Sequence, residues 1–241
     1  MNITAHAVYA FLPFHLIYWL FFKTFPLAGM SVLVILFGCL PDFDYFYWKI
    51  KKKSRLSTAS MEFQHHLMFP THWPLTYFPL IIVFVIAWIF NFFPEWFLIP
   101  VLGVYSHMIF DSISCGDGLM WGKIPWKKGQ YGRFVNLLSK KTDGYHGKYW
   151  EARYKQTIFF KIEIVAAIFA IALCIIYIVL GGSLWYLFVI FIFSAMLFFG
   201  FKKPDPKYYE EPEENRYNDY RKNPDYIAYF KNKGKSIKGK K

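Results

Sequence analysis

Along the chain, long uncharged stretches alternate with short, strongly basic ones. Asp, Glu, Lys and Arg are absent from residues 1–22, 24–41, 63–94 and 164–201, and about 20 mostly apolar residues suffice for a helix to cross a bilayer. Divided at their proline and glycine breaks, these stretches predict helices over 3–22, 26–40, 74–93, 95–114, 157–180 and 183–201. Pro26 suits a helix start and Pro41 a helix stop, because proline lacks the backbone donor and disfavours a helical conformation in the residue before it. Pro94 and the pair Gly181-Gly182 mark two tight turns. The expected fold is all-α: a polytopic membrane bundle of about six transmembrane helices, in which 26–40 is short enough to be re-entrant.

Composition agrees. Of 241 residues, 56% are hydrophobic and 18% charged, against about 25% charged in a soluble domain, which argues against a soluble enzyme. The net charge of +12 is unevenly placed: 26 of the 28 Lys and Arg lie in 41–73, 115–156 and 202–241. Basic residues accumulate on the cytoplasmic side, so both termini and both long connections are expected in the cytosol. The amino terminus has no Lys or Arg before Lys23 and no small-residue cleavage site, and is read as the first membrane helix rather than a removable signal peptide. The expected organisation is a motif-bearing region 1–126, a basic cytosolic loop 127–156, two further transmembrane helices over 157–201 and a tail over 202–241.

That tail is rich in Pro, Glu, Lys and Tyr, cannot bury a core and reads as extended. Its terminal lysines would attract anionic headgroups at about 1 kcal/mol each. Membrane lipids are therefore the expected partners. With no nucleic-acid-binding fold beside this charge, no nucleic acid is expected. Cys39, Cys115 and Cys174 are scattered without a CxxC pair and read as buried thiols.

The chemistry lies in polar residues beside the apolar helices, where ionisable groups are costly and face a partner or a cavity. His6 falls about one turn into the first helix, Asp42 and Asp44 follow the second, His65, His66 and His72 precede the third, and His107 and Asp111 end the fourth. The predicted topology brings all eight to the cytosolic side. His107 and Asp111, at i and i+4, share a helix face; a hydrogen bond packing two helices explains such a pair as well as a metal does. Asp42 and Asp44 point in opposite directions from an extended turn and reach one site only if it bends. Either His65 or His66 would ligate metal, His66 preferred, with the other contacting substrate or orienting its neighbour. Up to four His and three Asp exceed the ligand set of one catalytic zinc and suit one or two divalent ions, with zinc, manganese or iron favoured by nitrogen and oxygen ligands without thiolate.

At these residues the chain resembles the YdjM-like family of inner-membrane metal-dependent hydrolases, also described as LexA-binding. The family's amino-terminal His, LPDxD turn, HRxxTH element and SHxxxD helix with a following Gly-containing loop and Pro correspond to His6, Leu40-Pro41-Asp42-Phe43-Asp44, His66 with Thr71-His72, and Ser106-His107 with Asp111, then Gly116 to Pro125. The resemblance covers residues 1–126. Leu67 stands where the family has Arg, a natural anion clamp, one extra residue precedes Thr71, and Trp73 replaces a small hydroxyl residue.

The expected function is that of a membrane-bound hydrolase in which metal-activated water attacks an ester or phosphoester, a lipid included, at the cytosolic interface. His6, Asp42, Asp44, His66, His72, His107 and Asp111 would ligate metal, with Asp44 and Asp111 the catalytic carboxylates. His65, Lys123, Lys127 and Lys128, with Arg133, would contact an anionic substrate. The alternative is a non-catalytic membrane protein with a structural or regulatory metal. A transporter would need polar groups across the bilayer, for which His15 is the main candidate; Lys161 and Glu163 are expected to snorkel to the interface.

Overall fold

The computed structural model describes residues 3–44, 47, 50, 70–114, 120–123, 131–133 and 147–209. Among these, the regular elements are helices and one short hairpin: α1 (Ile3–Phe22), α2 (Ala28–Cys39), α3 (Phe78–Ile89), α4 (Pro94–Ser114), α5 (Gly147–Lys155), α6 (Ile158–Val179) and α7 (Tyr186–Gly200), with antiparallel strands β1 (Met120–Lys123) and β2 (Tyr131–Arg133). Three helices, α1, α4 and α6, are long and apolar enough to cross a membrane. The other apolar helices, α2, α3 and α7, are shorter. Large apolar side chains are exposed along both kinds, among them Phe21, Ile89, Val165, Val179 and Phe198, a surface suited to lipid rather than water.

Helix ends follow local chemistry. Pro94 is the first residue of α4, where its missing donor costs nothing, and the preceding turn is made by Asn91 and Phe93 in left-handed backbone. Gly181 has φ +85°, a conformation that glycine adopts without strain, and turns α6 toward α7. Pro74 precedes α3 in a 3₁₀ turn, Pro74–Tyr77, rather than starting it. The basic connection 127–156, read as a loop, contains β2 and α5.

The chain divides into two compact units, one of residues 1–42, 77–110 and 155–203, the other of 43–76, 111–154 and 204–241. In the first, α1 packs along α2 and also meets α6 and α7. Its two faces have different partners: Ala7, Val8 and Phe11 join a core with Ala167, Ala170, Val189 and Phe193 of α6 and α7, whereas Ala10, Phe14 and Tyr18 join Val34 of α2 and Leu98 and Ile99 of α4. Small residues set the spacing, as in membrane helix pairs. A Cβ on Gly38 would stand 2.5 Å from Ala10 Cβ, and one on Gly103 2.5 Å from Phe37 Cβ. Cys39 and Cys174 are buried thiols, as expected. Lys161 is exposed, but Glu163 is buried rather than snorkelling as predicted, because α6 turns it toward Val8 of α1 and Met196 of α7.

The second unit contains the hairpin, α5 and the 3₁₀ turns Pro70–His72 and Pro206–Tyr209. Trp150 stacks on Tyr154 within α5, and Arg153 donates to the Tyr208 carbonyl at 3.2 Å.

Candidate metal centre

His6 lies on the face of α1 that carries Ala10 and Phe14, since positions four apart stack along a helix. That face meets α2 and α4, and there His6 stacks on His107 with ring centroids 3.7 Å apart and planes 17° off parallel. The 3₁₀ turn Leu40–Phe43 begins where Pro41 ends α2 and turns Asp42 toward the pair. One carboxylate oxygen, Oδ2, is 3.9 Å from His6 Nε2, and the other, Oδ1, is 3.9 Å from His107 Nε2. These separations are too long for hydrogen bonds, whereas ligands of a tetrahedral zinc stand about 3.4 Å apart.

His107 Nδ1 lies 2.7 Å from the backbone carbonyl of Gly38. A carbonyl only accepts, so Nδ1 carries the hydrogen and, in the neutral ring, Nε2 turns its lone pair toward Asp42. Metal-binding histidines are oriented in this way, by a carbonyl or carboxylate on the other nitrogen. His6 and His107 are both buried, while the Asp42 side chain keeps 17% exposure. Asp111, buried as well, follows His107 by one turn on α4.

The second unit holds another histidine–carboxylate arrangement. His72 Nδ1 lies 2.7 Å from Asp44 Oδ2, and the Thr71 hydroxyl donates to the same oxygen at 3.1 Å. His72 and Asp44 are buried. The ring of His72 and the carboxylate of Asp44 are thus held side by side, a pairing of the kind found in metal sites. Buried His and Asp side chains of this chain could therefore hold a metal ion, and without thiolates the donors suit zinc, manganese or iron.

Of the residues singled out from sequence, His6, Asp42 and His107 come together in the first unit, and Asp44 pairs with His72 in the second. His65, His66, Lys127 and Lys128 lie outside the described residues. Lys123 ends β1 and Arg133 ends β2. The Ser106 hydroxyl donates to the Gly103 carbonyl at 2.8 Å, a bond local to α4. Two contributors escaped the sequence reading: the Gly38 carbonyl and the Thr71 hydroxyl. Both stood inside quoted motifs, but a backbone oxygen has no residue type to recognise, and Thr71 is distinguished only by preceding a histidine.

Fold and site together define a helical protein with helices able to cross a membrane and a buried His/Asp cluster able to hold metal. No family model, curated protein or solved structure matches the chain.

Proposed function

We propose that this is an integral membrane protein, of the cell inner membrane with both termini cytosolic, whose His/Asp cluster binds a divalent ion and hydrolyses an ester or phosphoester at the cytosolic interface. One observation carries the reading: the Gly38 carbonyl holds the His107 hydrogen on Nδ1, so that Nε2 and an Asp42 oxygen face each other at 3.9 Å, two electron-pair donors that a cation would join. The motif resemblance supports the hydrolytic class. It also assigns Asp44 and His72 to the ligand region, together with His66.

A bound divalent ion would supply activation of water and stabilisation of charge on the reacting oxygens. His6 and His107 would hold it through nitrogen, with Asp42 and Asp111 as carboxylate ligands. Asp44, whose Oδ2 lies beside His72 Nδ1 and accepts from Thr71, would serve as a further ligand or as the general base. The partly exposed Asp42 is the side from which substrate would approach, and Lys123, Lys127, Lys128 and His65 are proposed contacts for an anionic headgroup.

Burial of His6, His107 and Asp111 favours a second reading, a closed structural metal site without turnover. Elemental analysis of the detergent-purified protein, with His107→Ala and Asp42→Ala shown to be folded by circular dichroism, tests the shared premise. One or two equivalents of zinc, manganese or iron, lost in both variants, support a metal centre. No bound metal after reconstitution with each ion overturns it and leaves a packing network. Hydrolysis of phosphoester or lipid substrates that disappears in Asp111→Asn, with insertion intact, then separates enzyme from structural site.

A further inference from the structure

On the opposite face of α1 from His6, about two and a half turns away, His15 is buried among hydroxyl groups. Its Nδ1 is 3.0 Å from Tyr177 Oη of α6 and its Nε2 is 2.9 Å from Ser31 Oγ of α2. The Ser31 hydroxyl reaches the Leu27 carbonyl and Tyr186 Oη of α7, both at 3.4 Å. Tyr186 Oη donates to the Pro26 carbonyl at 2.6 Å. His15, Ser31, Tyr177 and Tyr186 are all buried, and Phe11, Phe14 and Phe25 pack around the rings of His15 and Tyr177. Pro13 frees a carbonyl in α1 that could serve His15, but hydroxyls from two other helices, Ser31 of α2 and Tyr177 of α6, take that place.

The hydrogens can be assigned by elimination, starting from the acceptor-only end. Pro26 offers only a carbonyl, so Tyr186 must donate to it, and Tyr186 Oη is then an acceptor toward Ser31. When the single Ser31 hydrogen serves Tyr186 or Leu27, both 3.4 Å away, Ser31 Oγ accepts from His15 Nε2 at 2.9 Å. Nδ1 then accepts from Tyr177. Every hydroxyl hydrogen has an acceptor in this order. With the other tautomer the Tyr177 hydroxyl, turned from donor to acceptor at Nδ1, would lose its acceptor in a buried apolar setting, which is unfavourable.

We infer that this cluster is a polar clamp, with His15 as its Nε2–H tautomer, that fastens α6 and α7 to α1 and α2. Residues 157–201 lie outside the stretch that resembles the hydrolase motifs, yet through the clamp they position the helix that carries His6. They are an integral part of the bundle rather than an appended pair.

The test is a double-mutant cycle on the full chain in detergent, read as the thermal unfolding midpoint, with Tyr177→Phe introduced into wild type and into His15→Phe. The clamp predicts that Tyr177→Phe lowers the midpoint in wild type and has less than half that effect once His15 is gone. Equal losses in both backgrounds overturn it. If His15→Phe does not fold, the cycle of Ser31→Ala with Tyr186→Phe reads the same chain with the same two outcomes. Nitrogen-15 NMR of labelled histidine in wild type should show His15 protonated on Nε2; protonation on Nδ1 alone overturns the donor order. None of these readouts depends on a bound metal.

Discussion

The imidazole of His107 donates to the carbonyl of Gly38 at 2.7 Å, and the same glycine leaves no room for a side chain between α2 and α1. The bond requires α4 to approach the end of α2, and the missing Cβ allows α1 to come close enough for His6 to stack on His107. Helix packing and ligand orientation thus depend on one residue.

Gly38→Ala would place a Cβ 2.5 Å from Ala10 Cβ and 3.0 Å from the His6 carbonyl. Neither neighbour is the end of a flexible chain, so α1 must shift. The expected cost is about 1–3 kcal/mol, seen as a lower unfolding midpoint in detergent, together with weakened metal retention. Gly29→Ala, where the added Cβ meets nothing within 4 Å, is the control and should leave both unchanged.

Asp44 and Asp42 should respond differently to substitution. Asp44→Asn keeps the shape of the side chain beside His72 but loses the charge, so metal stoichiometry should persist while affinity falls about 10–100-fold, the usual effect of disturbing a group next to the ligands. Asp42→Asn should reduce stoichiometry itself. Competition titration with a chromophoric chelator distinguishes the two; loss of a metal equivalent in Asp44→Asn would make Asp44 a ligand.

Metal removal should destabilise the folded protein. A ligand present at a hundred times its dissociation constant contributes about 2.7 kcal/mol, so dialysis against a chelator should lower the unfolding midpoint, and the correct ion should restore it. Zinc, manganese and iron added singly identify that ion. The His107→Ala variant should show no response to either treatment.

At the start of α6, the buried Thr157 side chain accepts from the Phe160 backbone N–H at 3.4 Å. Thr157→Ala removes this cap and should cost about 1 kcal/mol. Thr157→Ser should retain most of it. Both variants lose the Thr157 methyl, so the difference between their midpoints isolates the cap from the packing of α6.

The course of the apolar helices and the ionisable residues that accompany them are legible in local pattern. Length in apolar residues and the chemistry of Pro26, Pro41, Pro94 and Gly181 act locally, so the predicted 3–22 reappears as Ile3–Phe22 and 157–180 as Ile158–Val179. The short elements within 115–156 carry no such signal, since strands of four and three residues and a nine-residue polar helix depend on neighbours for their stability.

The side chains that the two carboxylates of this turn meet follow from tertiary packing. Asp42 and Asp44 are two residues apart, and their spacing alone assigns neither a partner. The 3₁₀ bend after Pro41 turns Asp42 toward His6 and His107, while Asp44 meets Thr71 and His72. The clamp was still less legible, because His15 and Tyr177 lie 162 residues apart. Pattern reveals which face of a helix is apolar; which helix that face meets follows from close packing across the whole bundle.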